Sequence, residues 1–236
     1  MIPDTLPTAP AGFSWRARYA IRARERRAFH TVLDADKLVD PSRASHVSVG
    51  RDADGLFVQL RHPVLGGEIA EDMRFDEADG RLLTRAVLRE VRDSTGGLAR
   101  REEVLQFHHA TLGLPTSAYP EVALPFVLAF CQHDGKRRSL FAWINDRFVA
   151  RVYVDTIGRA TLDLPIGRRD AIEAVMYPDL NDWVSLGAVI TRLARPLLPK
   201  YRMWFDAEPP HGVLRFEGPY GPPGAPEIVL SLSELG

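Results

Sequence analysis

The run FSWRARYAIRAR, Phe13 to Arg24, constrains the fold more than any other part of the sequence. Apolar side chains occupy every second position from Phe13 to Ala23, and arginines occupy most of the positions between them. A period of two is typical of a β-strand with one apolar and one charged face, whereas on a helix the same arginines would scatter around the axis. The run therefore predicts a long strand that covers an apolar core.

Turn signals divide much of the remaining chain into further strands. Asp-Gly pairs at 54–55 and 79–80, and the run Ser94–Gly97, separate alternating segments in the manner of an antiparallel meander. Segments rich in β-branched and aromatic residues resume after position 136. We expect a mainly β protein of about ten or eleven strands. A sheet of that size must curve to bury its apolar face, so the expected architecture is an unclosed antiparallel β-barrel.

Two segments predict helices that cover the open side of this sheet. The apolar run from Glu121 to Cys131 lacks alternation and follows Pro120, which suits a helix start. The segment from Asn181 to Lys200 carries apolar residues at helical spacing and ends in a pair of prolines. We expect a flexible, proline-rich tail over residues 1–11 and a single domain over residues 12–236.

Composition excludes several classes of partner and site. The net charge of −1 gives no reason to expect a nucleic-acid partner, and the single cysteine, Cys131, excludes an intramolecular disulfide and a cysteine-rich zinc site. No metal site and no cofactor are expected. The most apolar run, Val122–Cys131, is about half as long as a membrane-spanning helix. The first residues lack a secretory pattern, so a cytoplasmic location is expected.

The loop GPYGPPG, residues 218–224, is the most conspicuous motif, but it does not fit a phosphate-binding loop. No lysine follows its glycines, and Pro219, Pro222 and Pro223 lack the backbone N–H groups that hold phosphate. Its pattern favours a stiff connection between two strands. No Gly-x-Ser-x-Gly run or other catalytic motif is present, so the sequence does not decide whether the protein is an enzyme.

The arginine face from Arg16 to Arg27 admits two interpretations. Its side chains pair with acidic residues on neighbouring strands, such as Glu68, Asp72 or Glu90, or they form a basic stripe for an anionic ligand or a protein partner. The near-neutral total charge favours pairing. A nucleic-acid site is disfavoured because the aromatic residues lie on the other face of the strand.

Three runs in the C-terminal half share a pattern with a known group of proteins: ALPFVLAF, residues 148–178 and residues 200–218. The pattern includes Thr-x-x-x-Pro-x-Gly at Thr161–Gly167, and then Trp204 and Pro209-Pro210. Together they resemble uncharacterised bacterial half-barrel domains, whose wider fold is similar to the lipoprotein carriers LolA and LolB. This resemblance implies a curved sheet around an apolar cavity with helices as a lid. Some relatives with that fold act as cofactor-free enzymes.

Two functions are consistent with such a cavity. The first is binding of an apolar or amphipathic small molecule, of acyl or polyketide type. The alternative is cofactor-independent cyclisation or rearrangement, with Tyr19, Arg215 and Glu217 as candidates for acid/base or carboxylate-positioning roles. Buried titratable groups that converge in the cavity would favour the enzyme. The candidate cavity residues are Trp15, Tyr19, Trp143, Trp183, Trp204, Arg215, Glu217 and Tyr220.

Overall fold

A computed structural model describes residues 4–24, 39–104, 113–131, 135–145, 148–179, 200–219 and 227–236. These residues form one sheet with the strand order β6-β5-β4-β3-β2-β1-β13-β12-β11-β10-β9-β8-β7. The fold class expected from the sequence is confirmed. The strands are β1 Trp15–Ala23, β2 Ala44–Asp52, β3 Gly55–Val64, β4 Gly67–Ala78, β5 Arg81–Asp93, β6 Leu98–Val104, β7 Ala118–Pro120, β8 Arg138–Asn145, β9 Phe148–Leu164, β10 Gly167–Pro178, β11 Tyr201–Asp206, β12 Val213–Pro219 and β13 Glu227–Leu235.

The sheet has thirteen strands, against the ten or eleven expected. Strand β7 is only three residues long, too short to show alternation, and it pairs with β8 in parallel, whereas the other described pairings are antiparallel. Strand β9 continues through Gly158 without a turn. Ile157 lies opposite no partner on β10, so this point is a β-bulge within one long strand.

The alternation in β1 has the predicted outcome. Trp15, Ala17, Tyr19 and Ile21 are buried, while the arginines between them face away from the core. Strand β1 joins the two halves of the sheet, because it pairs with β2 on one side and with β13 on the other. Its apolar face therefore lies at the middle of the concave surface.

A short helical segment occupies this concave surface. It consists of a 3-10 turn Glu121–Ala123, the helix α1 Leu124–Val127 and a second 3-10 turn Leu128–Phe130, and we call it the helical segment 121–130. Its rings contact β1 and the residues before it: Phe126 lies 6.2 Å from Tyr19, and Phe130 lies 4.7 Å from Phe13. The predicted helix start at Glu121 is confirmed. The predicted helix from Asn181 to Lys200 lies outside the described residues, apart from Lys200 itself.

The two ends of the sheet approach each other without a strand ladder between β5 and β7. The Tyr119 hydroxyl donates to the carbonyl of Leu82 at 2.8 Å, and the Thr84 hydroxyl donates to the carbonyl of Ala118 at 3.0 Å. Because β7 lies at one end of the sheet and β5 next to the other, these bonds hold an open barrel in a nearly closed shape.

The chain before β1 lies along this seam. The amide of Leu6 donates to the Tyr119 hydroxyl at 2.8 Å, and the carbonyl of Leu6 accepts from the amide of Leu82 at 2.9 Å. The amide of Asp4 donates to the carbonyl of Ser139 on β8, and the amide of Ser139 donates to the side-chain carboxylate of Asp4. The Leu6 side chain is 1% exposed. These contacts lie within the segment expected to be a flexible tail; its flexibility and the single-domain division stay predictions.

Candidate functional site

Between the described residues on the concave side lie two separate spaces, one at each end of the helical segment 121–130. The Glu121 cavity is small, about 20 Å³, and the Phe130 cleft is larger, about 650 Å³. The Glu121 cavity is lined by His62, Glu121, Val122, Pro125, Phe126, Tyr201, Phe216, Pro219 and Leu230. The Phe130 cleft is lined by Pro10, Ala11, Gly12, Phe13, Ala129, Phe130, Cys131, Ile172, Pro209, Pro210 and His211.

The Glu121 cavity takes its polar groups from distant parts of the chain. Pro120 ends β7, and the turn that follows directs Glu121 into the interior, where the residue is 6% exposed. Tyr201, the first residue of β11, donates a hydrogen bond from its hydroxyl to Oε1 of Glu121. Gly218 on β12 allows this placement, because a Cβ there would lie 2.9 Å from Cδ1 of Tyr201.

Burial dominates the electrostatics of this cavity. Loss of hydration raises the pKa of Glu121 to about 8, and the charge of Glu71 adds to this rise, while the Tyr201 hydrogen bond and Arg89 oppose it. Burial, together with Glu121 and Glu227, raises the pKa of Tyr201 well above its ordinary value. At neutral pH the cavity therefore holds a protonated carboxyl beside a neutral phenol.

His62 contributes a third titratable group on the same cavity. It lies on β3, opposite the β2 end that carries Ser45, and its Nδ1 is 2.9 Å from the Ser45 hydroxyl oxygen. Burial lowers the pKa of His62 to about 3, so the ring is neutral at physiological pH. The nearby Glu71 is also buried, and it forms an ion pair with Arg89 of β5.

The Phe130 cleft is mainly apolar. Its walls are the chain that precedes β1, the end of the helical segment, Ile172 of β10 and the turn at 209–211. The ring of His211 is its only titratable imidazole among the described residues, and its Nδ1 is 2.9 Å from the carbonyl of Asp206. The volume of the cleft lies within the range of pockets that bind small organic molecules.

Two of the candidate cavity residues lie together on the concave face but line neither space. Trp15 donates from Nε1 to the Tyr19 hydroxyl at 3.0 Å, and that hydroxyl donates to the carbonyl of Val213 at 2.7 Å. Burial raises the pKa of Tyr19, which keeps the phenol neutral. The Trp15 ring also packs directly on Gly212, where a Cβ would approach it to 2.2 Å. This pair connects β1 to the start of β12.

Three other candidates, Trp204, Arg215 and Glu217, share the opposite face of the sheet. Trp204 pairs with Arg215 across β11 and β12, while Phe216, the residue between Arg215 and Glu217, lines the Glu121 cavity. The Trp204 ring lies between two guanidinium groups, 4.8 Å from that of Arg202 and 5.4 Å from that of Arg215. Arg215 also forms an ion pair with Glu217. These residues form a partly buried ionic and aromatic layer on the face away from the helical segment.

The remaining candidates are not brought to either space. Trp143 of β8 is buried in the core, 1% exposed, and is not part of the lining of either space. Trp183 and Tyr220 lie outside the described residues. The assignment of all eight candidates to a ligand cavity stays a prediction. Cys131 is buried beside the Phe130 cleft, and His133 lies outside the described residues.

The groups that do converge, Glu121, Tyr201 and His62, were not candidates. Glu121 stands as the only charged residue in the apolar run from Ala118 to Cys131, and that isolation is the signal that identifies it. His62 occupies an apolar-face position of its strand, next to Leu56, Val58 and Leu60 in the alternation. Tyr201 gives no such signal, because tyrosine is common at the start of a strand.

The arginine face is paired in part, and with other partners than expected: among the described residues Arg18 and Arg24 form ion pairs, whereas Arg16 and Arg22 are exposed and form none. Arg18 forms an ion pair with Glu234 at 3.0 Å, and Arg24 lies 3.4 Å from Glu217 and 3.8 Å from Glu227. Arg26 and Arg27 lie outside the described residues. The acids named from the sequence pair with arginines on their own part of the sheet: Glu68 with Arg43, Asp72 with Arg61, and Glu90 with Arg92 and Arg101.

Comparison with known proteins identifies distant structural likenesses only. No family model and no curated protein matches the sequence. The hypothetical lipoprotein YmcC from Escherichia coli K12 is 12% identical with a TM-score of 0.38, and the match covers 93% of this chain and 84% of that one. A Bacteroides fragilis protein described as exported, with a YmcC-like fold, is 9% identical with a TM-score of 0.31 over 99% and 100% of the two chains. A Parabacteroides distasonis protein described as a lipoprotein is 10% identical with a TM-score of 0.31 and the same coverage.

These likenesses transfer no ligand or chemistry to this chain, but they contradict one expectation. All three similar structures are described as lipoproteins or exported proteins, so the cytoplasmic location expected from the sequence is wrong. That expectation rested on the pattern of the first residues and on the shortness of the apolar run Val122–Cys131. Among the described residues, no helix is long and apolar enough to cross a membrane.

Proposed function

We propose that this protein binds an apolar or amphipathic small molecule on the concave side of its sheet. The observation that carries the proposal is the Phe130 cleft, about 650 Å³ in volume and walled mainly by apolar side chains. Burial of apolar ligand surface contributes about 25 cal/mol per Å², so an acyl chain that fills the cleft gains several kcal/mol from this term. The curved sheet around a helical segment also supports the resemblance to the lipoprotein-carrier half-barrels.

The Phe130 cleft has features of a ligand site rather than a packing defect. It opens between four separate parts of the chain, and Phe13 and Phe130 present their rings to it in an edge-to-face pair. Polar groups on its walls are few, which suits a chain or ring system that needs no ionic anchor there. The preferred ligand is therefore the acyl or polyketide type expected from the sequence.

Native mass spectrometry tests this proposal. The protein is stripped of bound lipid, re-exposed to saturated fatty acids, alcohols and aromatic polyketides of increasing length, and sprayed under native conditions. The expected result is a one-to-one complex whose abundance rises with apolar surface up to the size of the cleft. Absence of a complex with every member of the series would overturn the proposal.

A cofactor-independent enzyme is the second candidate, and one observation favours it. The Glu121 cavity is not aliphatic, since Glu121, Tyr201 and His62 converge on it. A protonated carboxyl next to a neutral phenol suits general acid catalysis on a carbonyl or an alkene. Incubation of bacterial small-molecule extracts with the wild type and with Glu121→Gln, followed by mass spectrometry, tests this candidate. A product that forms only with the wild type supports it, and identical extracts contradict it.

A further inference from the structure

Glu121 is a buried carboxyl that forms no ion pair with any basic side chain of the described residues. The Tyr201 hydroxyl donates a hydrogen bond to its Oε1, and the nearest arginine that acts on it, Arg89, forms its ion pairs with Glu71 and Glu102 instead. A buried carboxylate usually has such a partner, because its desolvation costs several kcal/mol. The protein therefore either keeps this group protonated or supplies a cation from outside.

Among the described residues, the arginines nearest to the cavity are already paired with acids other than Glu121: Arg89 with Glu71, and Arg24 with Glu227. Glu71 of β4 is close enough to raise the pKa of Glu121, but Arg89 of β5 already forms an ion pair with Glu71 and lies 3.5 Å from Glu102. From the other side of the cavity, Glu227 of β13 acts on Tyr201. His62 of β3 is neutral at physiological pH and does not repel a cation.

The walls of the cavity also suit a positive group. Phe126, Tyr201 and Phe216 surround it, and the rings of Tyr201 and Phe216 lie 6.2 Å apart. Aromatic faces attract ammonium groups within about 6 Å of the ring centre. The free volume of about 20 Å³ is enough for one group of the size of water, which is also the size of an ammonium head.

We propose that the Glu121 cavity binds the ammonium group of a small aliphatic amine, with Glu121 as its counter-ion. The Tyr201 hydroxyl holds one carboxylate oxygen and leaves the other for the amine. Because this space holds the ammonium head alone, the alkyl part of the ligand must extend out of it, along the apolar lining residues Val122, Pro125 and Leu230. This site is separate from the Phe130 cleft and does not depend on the function proposed for that cleft.

The site has a defined pH dependence. Below the pKa of Glu121, binding of an alkylammonium ion must release the carboxyl proton, so affinity rises about tenfold for each pH unit. Above about pH 8 the carboxyl is already ionised, and affinity stays level until the amine itself loses its proton near pH 10. The charged neighbours in this scheme are in ion pairs, Glu71 with Arg89 and Glu227 with Arg24.

Isothermal titration with n-butylamine, and with butan-1-ol as the uncharged probe of equal length, tests the proposal between pH 6 and pH 9. The variant Glu121→Gln keeps the shape of the side chain and removes its charge, while Glu234→Gln removes an exposed carboxyl on β13 as a matched control. We expect butylamine to bind the wild type and Glu234→Gln alike, and to bind Glu121→Gln at least about tenfold more weakly.

Three results would overturn the proposal: equal binding of butanol and butylamine, unchanged butylamine binding by Glu121→Gln, or no binding of butylamine at any pH. A flat affinity between pH 6 and pH 8 would also contradict it, because no proton would then be released. Since these probes are too short to fill the Phe130 cleft, failure here leaves the proposed function standing. Failure of the fatty-acid series likewise leaves the amine site standing.

Discussion

The hydroxyl of Tyr201 donates a hydrogen bond to the carboxyl of Glu121, 80 positions earlier in the chain. This contact ties β11 to the start of the helical segment 121–130, and it holds the helical segment inside the curved sheet. It also places an acid where water has little access. The energetic consequences of that placement can be measured without knowledge of any ligand.

Glu121 makes the folded state less stable as pH rises. Burial raises its pKa to about 8 from an ordinary value of 4.5, so the folded chain holds this proton more tightly than the unfolded chain. The stabilisation is complete below pH 4.5 and is lost between pH 4.5 and pH 8, with a slope of up to about 1.4 kcal/mol per pH unit. Urea denaturation at several pH values measures it. Glu121→Gln should flatten this slope and Glu234→Gln should keep it; equal slopes in both variants would refute the assignment.

His62 affects the pH dependence of stability in the opposite direction to Glu121: it makes the folded state less stable as pH falls. Burial lowers its pKa to about 3 from 6.5, so its contribution to stability is present above pH 6.5 and is lost as pH falls towards 3. The variant His62→Gln should therefore lose less stability on acidification than the wild type does. The exposed His46 on β2 supplies the control, His46→Gln, which should follow the wild type. If His62→Gln loses as much stability on acidification as the wild type, this histidine is not the group that titrates.

The contacts of Leu6 across the seam predict a large cost for its truncation. Leu6 is 1% exposed and Leu98, on the edge strand β6, is 54% exposed. Leu6→Ala should lower the free energy of unfolding by about 2–5 kcal/mol, as expected for a buried leucine. Leu98→Ala should change it by less than about 0.5 kcal/mol. If Leu6→Ala is as mild as Leu98→Ala, the segment before β1 is a flexible tail in solution, as the sequence suggested.

Gly212 and Trp15 form a contact that admits no side chain at the glycine. A Cβ at position 212 would lie 2.2 Å from Cζ3 of Trp15, so Gly212→Ala forces the indole to move and should cost about 1–3 kcal/mol. A double-mutant cycle with Trp15→Leu measures the coupling by chemical denaturation. The cost of Gly212→Ala should fall in the Trp15→Leu background. The same cost in both backgrounds would mean that the glycine is required for another reason.

The strands of the sheet can be predicted well from the sequence alone. Burial of one face of a strand leaves apolar residues at every second position, and this pattern is visible in the sequence. The run Phe13–Arg24 and the Asp-Gly turns specify strands and their order along the chain. The same pattern assigns Leu214 and Phe216 to the concave face and Arg215 to the other. Arg215 and Glu217, which were predicted as cavity residues, lie on the face of β12 opposite to Phe216, as the alternation indicates.

The Glu121 cavity could not be predicted to the same extent. Its three polar groups come from β3, β11 and the helical segment, and their meeting depends on how far the sheet curls. Curvature depends on bulges and on the seam between β5 and β7, and neither has a periodic signal in the sequence. An isolated acid in an apolar run indicates a buried polar site, but it does not indicate which strands face it.

The central claim is that the Phe130 cleft is the site that binds an apolar ligand. Ile172 lines the cleft, and Ile157, at the bulge in β9, is 60% exposed and remote from its lining, so the two isoleucines form a matched pair. The most direct measurement is the dissociation constant of the best ligand for the wild type, Ile172→Trp and Ile157→Trp, with thermal unfolding as the control for folding. We expect Ile172→Trp to raise this dissociation constant at least about tenfold and Ile157→Trp to leave it at the wild-type value. Wild-type affinity in a folded Ile172→Trp protein would contradict it.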